Sequence, residues 1–229
     1  MEKIVKQLHA QGWSFLRKWQ PELNTEECAT CIGKIFDIEK RLSEIKIGNV
    51  QTLIPKKRSK SLRNQYSGVY GLSEFPIHTD LAHWEVPPRY ILLRCVKGNP
   101  RVYTRIVNYK IIANIVGRDI LRQALVVPRR KHHRHIVTVL PVEFRINCEI
   151  GIRWDFLFLN PVNMYAKQLS DELSRAKNHI GINVSLSDPG DTLIIDNWKV
   201  LHGRSSVPSD ALSRKIERVY LENLYYECE

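Results

Sequence analysis

The chain is expected to fold as a mainly β domain with flanking helices, a sandwich or barrel rather than a doubly wound parallel sheet. Three observations predict this. Beyond Tyr66, short apolar runs of strand length recur, as at residues 90–96, 102–107 and 192–195. Glycine and proline, 11 of each, fall as turn punctuation between such runs. Helical periodicity is confined to the N-terminal stretch and two later interruptions. Many short strands separated by turns are the mark of closed or layered antiparallel architectures.

Taken in order, residues 2–10 read as a short helix and 12–17 as a first strand. From Asn24 to about Glu44 the apolar residues Cys28, Ile32, Ile35, Ile38 and Leu42 recur at helical spacing, and Asn24 with Glu27 forms a capping box to open that helix. Pro55 and a basic run then make a polar loop. Strands follow at 90–96, 102–107, 135–140, 149–154, 192–195 and 219–224, with helices near 108–125 and 161–177. No repeat or low-complexity segment is visible. The single candidate boundary, near 55–65, reads as a loop, so residues 1–229 are taken as one domain.

At 43% hydrophobic the chain can bury a real core. None of its apolar runs approaches the ~20 residues that span a bilayer. The start, Met1 to Gln7, is charged where a signal peptide is apolar, so a cytoplasmic protein is expected. Five cysteines fit reduced thiols better than a disulfide framework. Cys28 and Cys31 form a CxxC, but it lies in the predicted helix with no second CxxC, which favours a structural role. The net charge is +11, with basic clusters at 56–63 and 129–135. Such a surface attracts anions: acidic metabolites, phosphates, carrier proteins or nucleic acid. The plainer reading is two solvated loops, and no aromatic platform for stacked bases accompanies either cluster.

The most chemistry lies in Phe75-Pro76-Ile77-His78-Thr79-Asp80. In an extended segment residues i and i+2 share a side, so His78 and Asp80 can converge on one cation. Two ligands leave the shell incomplete. His202 is the best third, placed at the end of an apolar strand before a turn. Two histidines and one carboxylate leave three octahedral positions open, an arrangement suited to non-haem iron(II). Zinc is the alternative, with less room for a bidentate cosubstrate. Alone, His-x-Asp is weak, because a buried, hydrogen-bonded His78 would look the same. The remaining histidines fit less well. His132, His133 and His135 sit among like charges, His9 and His179 lack a carboxylate at ligand spacing, and His83 reads as a neighbour of the pocket.

With these residues in hand, the chain resembles the taurine dioxygenase and gamma-butyrobetaine hydroxylase group of oxygenases. The likeness runs from about Gly12 to the C-terminus and is sharpest at residues 75–96 and 188–222, the second block opening DPGDTLIIDNWKVLHGR. The resemblance implies a distorted double-stranded β-helix, a jelly-roll and cupin-like fold. It implies Fe(II) held by His78, Asp80 and His202, with 2-oxoglutarate and O2 as cosubstrates. Arg214, 12 residues after His202, resembles the arginine that grips the distal carboxylate of 2-oxoglutarate. Such a carboxylate calls for two parallel donors. Arg218, four residues on, resembles the arginine found near the C1 carboxylate in some members, and Thr104 sits about where a family threonine bonds the distal carboxylate. For Arg214 and Arg218 a surface ion-pair ladder with Glu217 and Glu222 is the competing reading. The chain departs from the family in lacking a Gly-Gly turn at 97–104, and it is shorter, with the loss expected between 105 and 150.

Asp80 further implies hydroxylation, desaturation or ring formation, since halogenating relatives lack that carboxylate. Candidate substrate contacts are Tyr66, His83, Trp84, Arg153, Trp198 and Arg204, although Trp84 and Trp198 also suit a core and Arg204 a turn. A small polar metabolite, such as an amino acid or natural-product intermediate, is the expected substrate, with anionic ones among the candidates. Two rivals stand beside it: an oxygenase of a macromolecular or carrier-bound substrate, and a non-enzymatic anion-binding barrel with a decayed metal site. Steep salt dependence of binding would mark a nucleic-acid substrate.

Overall fold

A computed structural model of the chain describes residues 2–38, 48–129, 138–176 and 180–225. It opens with helix α1 (Glu2–Gln11), strand β1 (Trp13–Leu16), helix α2 (Thr25–Ile32) and strands β2 (Gly33–Ile35) and β3 (Gln51–Leu53). The short helix α3 (Tyr66–Tyr70) leads into β4 (Phe75–His78), β5 (Tyr90–Lys97) and β6 (Tyr103–Asn108). Helices α4 (Tyr109–Val116) and α5 (Arg118–Gln123) precede β7 (Leu125–Pro128), β8 (Leu140–Pro141), β9 (Glu143–Ile146), β10 (Glu149–Ile152) and β11 (Leu159–Pro161). The chain continues through α6 (Met164–Ala176), β12 (Ile182–Ser185), β13 (Thr192–Asp196), β14 (Val200–Arg204) and β15 (Lys215–Leu224). None of the described helices is long and apolar enough to cross a membrane.

Side-chain alternation decides the layering. The larger sheet runs β1-β13-β5-β15-β2, with β3 also paired to β15, and the smaller runs β12-β6-β14-β4, all antiparallel. Ile91, Leu93, Leu193, Ile195, Ile216 and Tyr220 of the larger sheet pack against Ile106, Val184 and Val200 of the smaller. The intervening residues Tyr90, Leu92, Ile194, Val219 and Leu221 point the other way, where α1 and α2 cover them with Ile4, Val5, Leu8, Ala29 and Ile32. Both faces of β5 and β13 are therefore buried, which explains why they read as unbroken apolar runs rather than alternating ones. On the far side, α4 to α6 cover Val107 and Leu201 of the smaller sheet. The result is helix, sheet, sheet, helix.

Several expectations change. The helix opened by the capping box is real, with Asn24 Oδ1 accepting from Glu27 N–H and Glu27 Oε2 accepting from Asn24 N–H. It stops at Ile32, not near Glu44, because Gly33 is extended and enters the sheet beside β15. The helical spacing of Ile35 is thus incidental, since that residue lies in β2. The expected helix over 108–125 is two helices, broken at Gly117 with φ of +88°. The strand expected from 219 begins at Lys215, and the one expected to 154 ends at Ile152. His202 does not close an apolar strand: β13 ends at Asp196, residues 197–199 turn, and His202 lies in the middle of β14. Leu42, most of the 129–135 cluster, the first half of the strand expected at 135–140 and His179 lie outside the described residues.

Gly33 leaves no room for a side chain, since a Cβ there would stand 2.1 Å from Asn223 O. Gly33→Ala is expected to destabilise the protein by about 1–3 kcal/mol through overpacking against β15. Chemical denaturation followed by circular dichroism measures it.

Candidate metal and anion site

Strand register brings the two histidines together. His202 on β14 is the cross-strand partner of His78 on β4, and their ring centroids lie 4.6 Å apart. Asp80 follows two residues after His78, so its carboxylate returns to the same side. Its Oδ1 lies 3.3 Å from His78 Nε2 and 3.8 Å from His202 Nε2, and the three ligand atoms fall within 4.8 Å of one another. All three residues are 7% exposed.

A second set of contacts fixes these three. His78 Nδ1 lies 2.8 Å from Pro76 O. A proton on Nδ1 makes that bond, so Nε2 is the ring nitrogen turned toward Asp80. Asp80 Oδ2, the oxygen turned away from the histidines, accepts from Arg218 Nη1 at 2.8 Å and from the Tyr220 hydroxyl at 3.0 Å. Arg218 is itself held by Gln51 Oε1. The Asp80 backbone is clamped by fully buried Asn197, whose Oδ1 accepts from Asp80 N–H and whose Nδ2 donates to Asp80 O and Pro88 O. Thr79 is tied through backbone and hydroxyl to the strip 152–154. Tyr66 stacks on the His78 ring at 4.3 Å.

The electrostatics match the geometry. Burial alone would raise the Asp80 carboxyl, but Arg218 with His78 and His202 outweighs it and holds the group far below the usual carboxylate range. Burial pushes His202 down to about 3, so its imidazole is neutral at ordinary pH. For His78 burial opposes the proton, while the hydrogen bond and charge of Asp80 prevail and raise the group. One ionised carboxylate and two imidazole nitrogens, buried and converging, form a donor set for a divalent transition-metal ion. Carboxylate–imidazole separations of 3.3 and 3.8 Å set these donors near enough to share one ion.

The triad opens onto a cavity of about 440 Å³, a volume typical of small-molecule sites. Thr104 on β6, Arg214 just before β15, and Arg218 share its lining with Tyr66, His83 and Arg204. Arg214 is 7% exposed, and its guanidinium makes no hydrogen bond or ion pair among the described residues. Burial pulls it down to about 10, against the pull of Cys95. An unpaired buried cation is costly unless an anion joins it. Arg204 is already occupied: it donates to Gly71 O, Ser73 O and Ser205 O and lies 3.6 Å over the Phe75 ring.

Three predicted contacts lie outside that lining. Arg153, 1% exposed, donates to the carbonyls of Ala82, Trp84 and Glu85 and so staples the loop after Asp80. Trp198 donates its indole N–H to Pro87 O and packs edge-on against Phe144. Trp84 leans on Phe36 and His83. Arg218, expected near a cosubstrate carboxylate, spends its guanidinium on Asp80. The sequence reading missed Tyr220, Asn197 and Asp155. Tyr220 was findable, since it stands two residues beyond Arg218 on one strand face. Asn197 stands in the DN pair before the distal histidine. Nothing local marked Asp155, which the fold carries in from a turn.

No protein-family profile matches the chain, and no curated protein does. Solved structures do. Asparagine oxygenase in complex with Fe(II), a hydroxyasparagine and succinate superposes with a TM-score of 0.71 at 17% identity, covering 96% of this chain and 78% of its own. The chain has the fold of that oxygenase. PvcB, an Fe, alpha-ketoglutarate dependent oxygenase from an isonitrile synthetic pathway, gives 0.66 at 17% identity over 96% and 79% of the two chains. OrfP, a non-haem iron oxygenase in complex with Fe, succinate and a hydroxy-arginine, gives 0.63 at 17% over 97% and 78%. The shared backbone survives with few identical residues because layer packing depends on the alternation of apolar and polar positions more than on particular side chains.

Two outcomes follow from these contacts. Tyr220→Phe removes one donor from Asp80 Oδ2 and keeps the ring, so Fe(II) affinity in anaerobic calorimetry should fall by about tenfold or more with little loss of stability. Arg153→Met should cost about 3 kcal/mol by stranding buried carbonyls, lowering the melting temperature by roughly 6–12 °C.

Proposed function

We propose that this chain is an Fe(II)- and 2-oxoglutarate-dependent oxygenase acting on a small polar metabolite, an amino acid or natural-product intermediate among the candidates. Residues 1–229 act as one domain, and the two facing sheets are the halves of a distorted double-stranded β-helix of the jelly-roll kind. The observation that carries the reading is the pairing, in one cavity, of the buried His78, Asp80 and His202 with the unpartnered Arg214. A structural core has no need of an isolated buried guanidinium beside a cluster of metal-type ligands.

His78, Asp80 and His202 would hold the metal where the triad opens onto the cavity. Arg214 receives the distal carboxylate of 2-oxoglutarate through two parallel N–H donors, and Thr104 adds a hydroxyl. Arg218 and Tyr220 keep Asp80 ionised and limit it to one free oxygen. The buried walls exclude water that would quench the oxidation. The bound metal and cosubstrate supply the oxidising chemistry: substrate C–H, 2-oxoglutarate and O2 become C–OH, succinate and CO2. Support also comes from the fold shared with oxygenases whose complexes contain Fe, succinate and hydroxylated amino acids.

Anaerobic titration with Fe(II) and then 2-oxoglutarate, followed by visible absorbance, tests the proposal. A weak charge-transfer band requiring both additions is expected, and it should vanish in His202→Ala. Arg214→Met should retain Fe(II) affinity while 2-oxoglutarate affinity falls about 30-fold or more. A protein that retains no iron and gives no band sinks the oxygenase reading.

A further inference from the structure

Beyond the triad and Arg214, the cavity contains a second buried charge. Asp155 lines it at 1% exposure, on the turn between β10 and β11. Its Oδ1 accepts from Leu157 N–H at 2.6 Å and Phe158 N–H at 2.9 Å, which accounts for the turn. Those are its hydrogen bonds of ordinary geometry, the Tyr66 hydroxyl is a further donor to it, and no lysine or arginine pairs with it among the described residues. It stands close enough to His78 for each to shift the other, and the Tyr66 hydroxyl, buried and without a hydrogen bond of ordinary geometry, faces it. Burial raises its carboxyl and the neighbouring donors oppose that rise.

Around this acid the wall is aromatic. Tyr66 meets Phe158 edge-on at 5.7 Å and Phe75 at 5.3 Å, and the His83 ring lies 5.5 Å from Phe158. Tyr66, His83 and Phe158 line the cavity, as does Phe75, whose face Arg204 already covers. Ring faces attract a cation, most strongly where water is excluded, and an unpaired buried carboxylate needs a positive partner. The cavity is thus polarised. Arg214 offers positive charge suited to a carboxylate, and Asp155 offers negative charge within an aromatic wall.

We propose that the substrate carries a cationic nitrogen, an ammonium or guanidinium, received by Asp155 beside the rings of Tyr66, His83 and Phe158. This rests on the oxygenase reading for the meaning of "substrate", but the cation site stands on its own geometry. It sets aside the expectation of an anionic substrate drawn from the net charge of +11, because the charge that Asp155 turns to the ligand is negative. Asp155 is a specificity residue here: it selects charge and fixes which carbon faces the metal, while Oδ1 keeps the turn.

The test uses the full chain loaded with Fe(II) and 2-oxoglutarate under argon, titrated calorimetrically with L-arginine and L-lysine and with their neutral near-isosteres L-citrulline and L-norleucine. At least one cation should bind about tenfold or more tighter than its neutral counterpart. Asp155→Asn keeps the oxygen that caps the turn and removes the charge, so it should abolish that preference while the charge-transfer band persists. Equal binding of cation and isostere, no binding of either cation, or a preference unchanged in Asp155→Asn overturns the proposal. The wild-type comparison decides even where the variant does not fold. Absence of the charge-transfer band in wild type is a separate failure that falls on the oxygenase reading, and repeating the titrations without metal then still tests the cation site.

Discussion

The Asp80 carboxylate is the point on which the site turns. One oxygen faces two imidazoles and the other is held by a guanidinium and a phenol. An ionised carboxylate buried to this degree would raise its own proton affinity steeply if left alone. Arg218 and Tyr220 remove that penalty, and in doing so they fix which oxygen is free. Every larger feature serves the placement of this group. The Asn197 clamp ties its backbone to the corner between β13 and β14, and Thr79 ties the neighbouring residue to the strip after β10. The long strand β15 runs past with Arg218 and Tyr220 on its inner face, while its outer face anchors α2.

Burying charge is expensive, so buried charges that lack protein partners carry information. Arg94 and Arg153 are deep in the fold and engaged by backbone: Arg94 donates to the carbonyls of Trp19, Gln20 and Leu23 and to Thr192, and the terminal nitrogens of Arg153 to three more carbonyls. They are structural, because their donors are spent on backbone groups that would otherwise be orphaned. Arg214 and Asp155 differ in lining the cavity with charge that no ion pair answers among the described residues. The same distinction separates Arg204 and Arg218 from Arg214, although the sequence presents all of them alike. A family-level likeness in sequence therefore finds which arginines stand near a site, but not which of them has a free hand.

The sequence by itself determined the class of architecture, the extended His-x-Asp pair and the distal histidine. Two-residue alternation and the short range of a strand pair are local physics, legible without the fold. The capping box at Asn24 was legible for the same reason. What only the tertiary structure decided depends on residues far apart in the chain. Helix α2 ends where Gly33 must pass against Asn223, a contact nearly two hundred residues away that overrides the helical spacing of Ile35. His202 meets His78 through cross-strand register, Arg218 and Tyr220 reach Asp80 across the gap between sheets, and Asp155 enters the cavity from a turn with no local mark. Periodicity encodes which face of an element is buried. Which charges meet on that buried face is settled by long-range pairing, and it is there that the site acquires its chemistry.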